Sequence, residues 1–173
     1  LNVPQAIDWV VEADRIGRDC AARAAEHDRN ESFVAESFAA LKAAGFFKAL
    51  VPVELGGLGA DYADMVRAIR RLGTHCGSTA LAFSMHTHLV ATAAWRWCNE
   101  KAPTDGLLKR VAVENLILIS SGGSDWLKSA GKAVKVDGGF RITARKAFSS
   151  GSPVGDLLMT SAVYDDPQAG PTV

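Results

Sequence analysis

The sequence predicts an α+β fold: an N-terminal helical block followed by a run of strands. Two observations carry this. Up to about residue 115 the apolar residues recur at helical spacing, whereas from Leu116 short apolar runs alternate with Gly- and Ser-rich turns. The helices and strands also fall in separate runs, about five helices and then at least four strands, which opposes an alternating βαβ plan. With 173 residues the chain is long enough for one core, or for one domain and part of another.

Residues 4–28 read as an amphipathic helix, with Ala6, Val10, Ala13, Gly17, Cys20 and Ala24 on one face. His27-Asp28-Arg29-Asn30 reads as a polar break. A second helix starts near Ser32, carries Val34, Phe38 and Leu41, and ends at Gly45 in the left-handed conformation. Residues 46–53 are short, apolar and closed by Pro52, so an extended segment is expected. Gly56-Gly57-Leu58-Gly59 lacks both the GxGxxG spacing and a following Lys-Ser/Thr. It reads as a tight turn that brings backbone against a neighbour. Asp61 is placed to cap a third helix, whose buried face is Tyr62, Met65, Ile69 and Leu72. Ser78 is the cap candidate for the next helix, about residues 79–99, which is apolar on nearly every side. Its His86 and His88 are two residues apart and point in different directions, so they read as core or pocket-lining histidines and not as a metal-chelating pair. A shorter helix with Leu107, Leu108 and Val111 follows Pro103-Thr104-Asp105.

From Leu116 the class changes. Leu116-Ile117-Leu118-Ile119 reads as a buried strand leading into a Ser/Gly loop. Ala133 to Val136, the turn Asp137-Gly138-Gly139, and Phe140 to Lys146 read as a hairpin. Leu157 to Tyr164 reads as one more strand before a solvated Asp165-Asp166-Pro167 turn.

Several function classes drop out at this level. Lys plus Arg and Asp plus Glu are both 19, and a net charge of zero opposes a nucleic-acid partner. No apolar run is long enough to span a bilayer and no signal peptide opens the chain, so no membrane role is expected. Cys20, Cys76 and Cys98 are scattered, with no CxxC, and read as free thiols in a reducing, cytoplasmic setting. Gly122-Gly123-Ser124-Asp125 is not the GxSxG of a nucleophile elbow. What remains is two loops rich in backbone NH groups and hydroxyls, residues 120–125 and 149–152. Either they merely connect strands, or their NH donors meet the oxygens and ring nitrogens of a phosphate-bearing or heteroaromatic cofactor.

Four local patterns in the right order make the chain resemble the N-terminal part of the acyl-CoA dehydrogenase family. These are Gly45-Phe46-Phe47 through Val51-Pro52-Val53-Glu54-Leu55-Gly56-Gly57-Leu58-Gly59, the apolar helix holding His86, Gly122-Gly123-Ser124-Asp125, and Lys146-Ala147-Phe148-Ser149-Ser150-Gly151 with Asp156 downstream. The resemblance implies a helical domain over residues 1–115 and the first part of a middle β-barrel domain over residues 116–173. The family's second helical bundle would be absent from the chain, both of whose ends look cut. It implies FAD, or alternatively FMN, between barrel and helices. The implied cofactor contacts are Leu118, Ser120, Ser121, Gly123, Ser124, Phe148, Ser149 and Ser150, and no metal. Phe148 takes the place of the family's Trp as an aromatic wall beside the ring, and Ser150 that of the Thr whose hydroxyl reaches flavin N5. Ser124 and His86 are implied on the substrate side.

The implied reaction is α,β-desaturation of an acyl-CoA by an enzyme of the family's homo-oligomeric plan, with the electron acceptor left open. Its Glu base lies beyond Val173, so this chain alone is expected to be inactive by that route. Leu118-Ile119-Ser120 stand where the family has Thr-Glu-Pro, which loses a hydroxyl unless Ser120 or Ser121 replaces it. Phe148-Ser149-Ser150-Gly151 also resembles the related flavin-dependent monooxygenases, which use reduced flavin and oxygen. A non-catalytic flavin- or acyl-binding fragment is the third expectation.

Overall fold

The computed structural model describes residues 7–173, without the side chains of Ser124 and Trp126. Residues 4–6, the expected start of the first helix, lie outside the described residues. The fold is α+β, as the patterning predicts.

Helix α1 (Trp9–Asn30) begins where the Asp8 carboxylate accepts from the amides of Val10 and Val11. It runs through the segment 27–30 that was expected to break it and stops at left-handed Glu31. Polar residues without Gly or Pro do not end a helix by themselves. Helix α2 (Ala35–Ala43) is followed by Gly45 at φ 82, the expected left-handed stop.

The expected extended segment 46–53 is instead a pair of 3₁₀ turns, Phe46–Lys48 and Val53–Leu55. An extended chain sends successive side chains to opposite faces. Phe46 and Phe47 are both buried on the core side, where Phe46 meets Trp9 with ring centroids 5.0 Å apart and Phe47 meets Phe83 at 5.3 Å. The glycine turn behaves as expected: a Cβ on Gly57 would lie 2.0 Å from the Val51 carbonyl oxygen.

Helix α3 (Tyr62–Gly73) is capped by Asp61, whose Oδ1 accepts from the Ala63 amide at 2.7 Å. Met65, Ala68 and Leu72 are its buried residues. Tyr62 is exposed, contrary to expectation, because the first helical residue overhangs the cleft described below. Helix α4 (Gly77–Glu100) starts after Cys76, not at Ser78. It is not buried all round: Phe83, His86, Val90 and Ala93 face the core, whereas Leu81, His88, Thr92 and Trp95 are exposed along the opposite stripe. Helix α5 (Asp105–Glu114) closes the helical block.

Strand β1 (Leu118–Ser120) pairs in parallel with β4 (Leu157–Met159). Strands β2 (Gly131–Val136) and β3 (Gly139–Ala144) form the expected hairpin, with Gly138 at φ 77 in the turn. Strand β2 also pairs in parallel with β5 (Val163–Asp166), and β5 antiparallel with β6 (Gly170–Thr172), giving the order β3-β2-β5-β6. The single strand expected over 157–164 is therefore two, because the chain leaves β1 after Met159 and joins β2 at Val163. Asp165 and Asp166 end β5, and Asp166 accepts from the amides of Gln168 and Ala169. The loop expected at 120–125 contains a one-turn helix, α6 (Gly123–Leu127).

Strand β1 holds the helices and the sheet together. Ile117 and Ile119 enter one apolar cluster with Phe38, Phe47 and Phe83. Leu118 points the other way, into a cluster with Val90, Leu108 and Val111. This period-2 alternation buries both faces of a short strand, at about 1.5–3 kcal/mol for each large side chain.

Candidate functional site

The site begins at the joint between α4 and β1. His86 is 2% exposed, and both ring nitrogens are engaged. Nε2 donates to the Phe47 carbonyl at 2.8 Å, and Nδ1 accepts from the Leu118 amide at 2.9 Å. Burial pushes its pKa down to about 4, and the neighbouring His88 adds to this, against an opposing contribution from the Phe47 carbonyl. His86 therefore pins the strand to the helix, with neither ring nitrogen free for a substrate in this structure. The Leu118 side chain is likewise core and its amide is spent on His86.

The two polar loops do meet. The Ser149 hydroxyl donates to the Ser120 carbonyl at 3.0 Å. The Phe148 ring, 64% exposed, lies beside Gly122, where an added Cβ would sit 3.2 Å from the ring edge. Gly122 is at φ 88, so the absence of a side chain is required twice there. Ser150 is half-buried and lines a cavity of about 370 Å³ with Ser78, Leu81 and Ser149. Ser120 and Gly123 line another, of about 290 Å³, against His88, Thr92 and Arg96 of α4. The side chain of Ser124 lies outside the described residues. Ser121 is brought to the loop but turned inward, 4% exposed, with its hydroxyl donated to Asp125 at 2.5 Å.

Asp125 anchors this region. Its carboxylate receives the Lys146 ammonium at 2.7 Å on both oxygens, the Ser121 hydroxyl, and the Ala130 amide at 3.0 Å. The hydrogen bonds from Lys146 and then Ser121 hold its pKa far below the usual carboxylate range. Lys146 also donates to the Ser161 carbonyl at 2.7 Å.

The exposed stripe of α4 runs past both loops. Leu81 stands at the Ser150 cavity, His88 and Thr92 at the Ser120 cavity. His88, Thr92 and Trp95 then border a larger apolar cleft of about 780 Å³ with Leu50, Pro52 and Tyr62. Sequence reasoning treated this helix as uniformly apolar and missed the stripe. The spacing 81, 85, 88, 92, 95 was its available signal. Lys146 and Asp125 lie within the family-like motifs, but their pairing spans 21 residues and leaves no local sequence signal. Chemically, the arrangement offers an aromatic wall, backbone NH groups at Gly122 and Gly123, and the Ser150 hydroxyl in the neighbouring hollow of mixed serine and apolar lining. Such a set suits a flat heteroaromatic ring with polar edges. Among the described residues no cluster of His, Cys, Asp and Glu suited to a metal ion occurs, and no helix is long and apolar enough to cross a membrane.

Residues 13–112 match the family model of the acyl-CoA dehydrogenase N-terminal domain, and the chain belongs to the acyl-CoA dehydrogenase family. Within it, the chain is 29% identical to cyclohex-1-ene-1-carbonyl-CoA dehydrogenase of Syntrophus aciditrophicus (strain SB), over 88% of this chain and 38% of that protein. It is 36% identical to isobutylamine N-hydroxylase of Streptomyces viridifaciens, over 82% of this chain and 39% of that protein. The solved structure of KijD3 in complex with FMN and a dTDP-linked amino-keto sugar superposes with a TM-score of 0.77 at 26% identity, covering 98% of this chain and 44% of that one. The chain thus spans about two fifths of the length of the relatives it matches.

Proposed function

We propose that this chain supplies the flavin-facing part of a flavin-dependent oxidoreductase, with residues 116–173 as the opening of its β-barrel domain. The carrying observation is the convergence of the two loops: Ser149 bonded to Ser120, and the exposed Phe148 ring beside Gly122. Bound there, FMN or FAD would supply the hydride or oxygen chemistry. Phe148 would pack on the ring and exclude water from it, while the Ser150 hydroxyl would donate to a ring nitrogen. Gly122 and Gly123 leave room for polar ring edges to reach backbone amides. His88 and Thr92, on the α4 stripe, would face whatever molecule approaches the ring.

The reading divides at the substrate. Desaturation of an acyl-CoA thioester is supported by the cyclohexenecarbonyl-CoA dehydrogenase relative. Monooxygenation by reduced flavin and oxygen is supported by the N-hydroxylase relative and by the FMN-bound KijD3 structure. Of the two candidates for the first-loop hydroxyl of the dehydrogenase plan, Ser121 is committed to Asp125 while Ser120 borders the cavity against α4. Among the described residues, none is assigned the role of the α-proton base. The test is to titrate the protein with FMN and with FAD, following flavin fluorescence. A flavoprotein bleached anaerobically by an acyl-CoA series is a dehydrogenase. One that instead consumes oxygen with reduced flavin and an amine or sulfur compound is a monooxygenase. Absence of flavin binding overturns both.

A further inference from the structure

We infer that Asp125 and Lys146 are positioning residues that set the spacing of the two flavin-facing loops. This rests on the flavin reading for its ligand, but the geometry stands on its own. The Asp125 carboxylate gathers three donors: the Ser121 hydroxyl on the first loop, the Ala130 amide just before β2, and the Lys146 ammonium ahead of the second loop, 21 residues on. Ser161 also closes the circuit from the other side, its hydroxyl donating to the Asp125 carbonyl at 2.8 Å while its own carbonyl accepts from Lys146. Both charged side chains are shielded, at 6% and 13% exposure, so neither is replaced by water without rearrangement.

The consequence follows from chain geometry. Phe148 is two residues beyond Lys146, and Gly122 is one residue beyond Ser121. The contact between Phe148 and Gly122 and the bond from Ser149 to Ser120 are therefore carried on short arms from one ionic pivot. Removing the pivot leaves both loops intact in sequence but free to part, and a loosened supporting shell weakens the site it holds.

The experiment compares Lys146→Met, Asp125→Asn and the conservative Lys146→Arg with a control. The control is Asp14→Asn, which removes the charge that holds Arg71 of α3 and His75 just beyond it to α1, away from the loops. Two readouts are taken: FMN affinity by fluorescence quenching, and amide hydrogen exchange in segments 119–123 and 147–152. For Lys146→Met and Asp125→Asn, both segments are expected to exchange faster together, and the FMN Kd to rise about tenfold or more. Lys146→Arg is expected to restore much of both, and Asp14→Asn to leave the FMN Kd within about twofold. Loosening confined to the mutated loop, or an equal loss of FMN affinity in Asp14→Asn at matched thermal stability, overturns the inference. If the unmodified protein binds neither FMN nor FAD, the flavin reading fails, and the paired exchange pattern alone then decides the pivot.

Discussion

Protonation of His86 is expected to unlatch the helical block from the sheet. Its Nε2–H is committed to the Phe47 carbonyl, which leaves Nδ1 as the acceptor for the Leu118 amide. A second ring proton would set N–H against N–H at that joint, in a site that water does not reach. The folded protein accordingly holds the ring neutral down to about pH 4, whereas the unfolded chain takes up the proton near 6.5. The sign follows directly. Below pH 6.5 the unfolded state binds the extra proton, so stability falls as pH falls from 6.5 to about 4 and then levels off. The loss is about 1.4 kcal/mol per pH unit and about 3 kcal/mol in full, an order-of-magnitude figure. Urea unfolding from pH 7.5 to 4.5, in the unmodified protein and in His86→Asn, isolates this contribution from the carboxylates. Asn preserves an acceptor for the Leu118 amide but does not titrate, so the variant is expected to be less stable at pH 7.5 and to lose less on acidification. Parallel pH profiles for the two proteins would refute the assignment.

Three further outcomes are expected. Gly57→Ala drives a methyl group into the Val51 carbonyl, and thermal melting should show a loss of about 1–3 kcal/mol. Asp61→Ala removes the bond to the Ala63 amide and should cost about 1 kcal/mol in urea unfolding. Phe148→Ala changes an exposed ring, so stability should move by no more than about 0.5 kcal/mol while FMN quenching titrations show weaker binding. Equal FMN affinity in that variant would remove Phe148 from the site.

What the sequence alone determined is local in its physics. Asp61 bonds an amide two residues on, Gly45 and Gly138 occupy left-handed turns, and the 131–144 hairpin closes through a two-residue turn. Each is decided within a few residues, so periodicity and turn chemistry suffice. The change from helices to strands was legible for the same reason, and so were the two Ser- and Gly-rich loops as loops. Only the tertiary structure decided what those loops are built on. The same apolar run that reads as extended at 46–53 folds into turns because two adjacent phenylalanines find partners on one side, in helices α1 and α4. His86 proves to be a latch because Leu118, 32 residues away, presents an amide to it. Ser121 is spent inward because Asp125 also holds Lys146, while Ser149 reaches Ser120 across 29 residues. Whether a hydroxyl is free for a ligand depends on partners brought together by packing, and the spacing of residues along the chain does not record them.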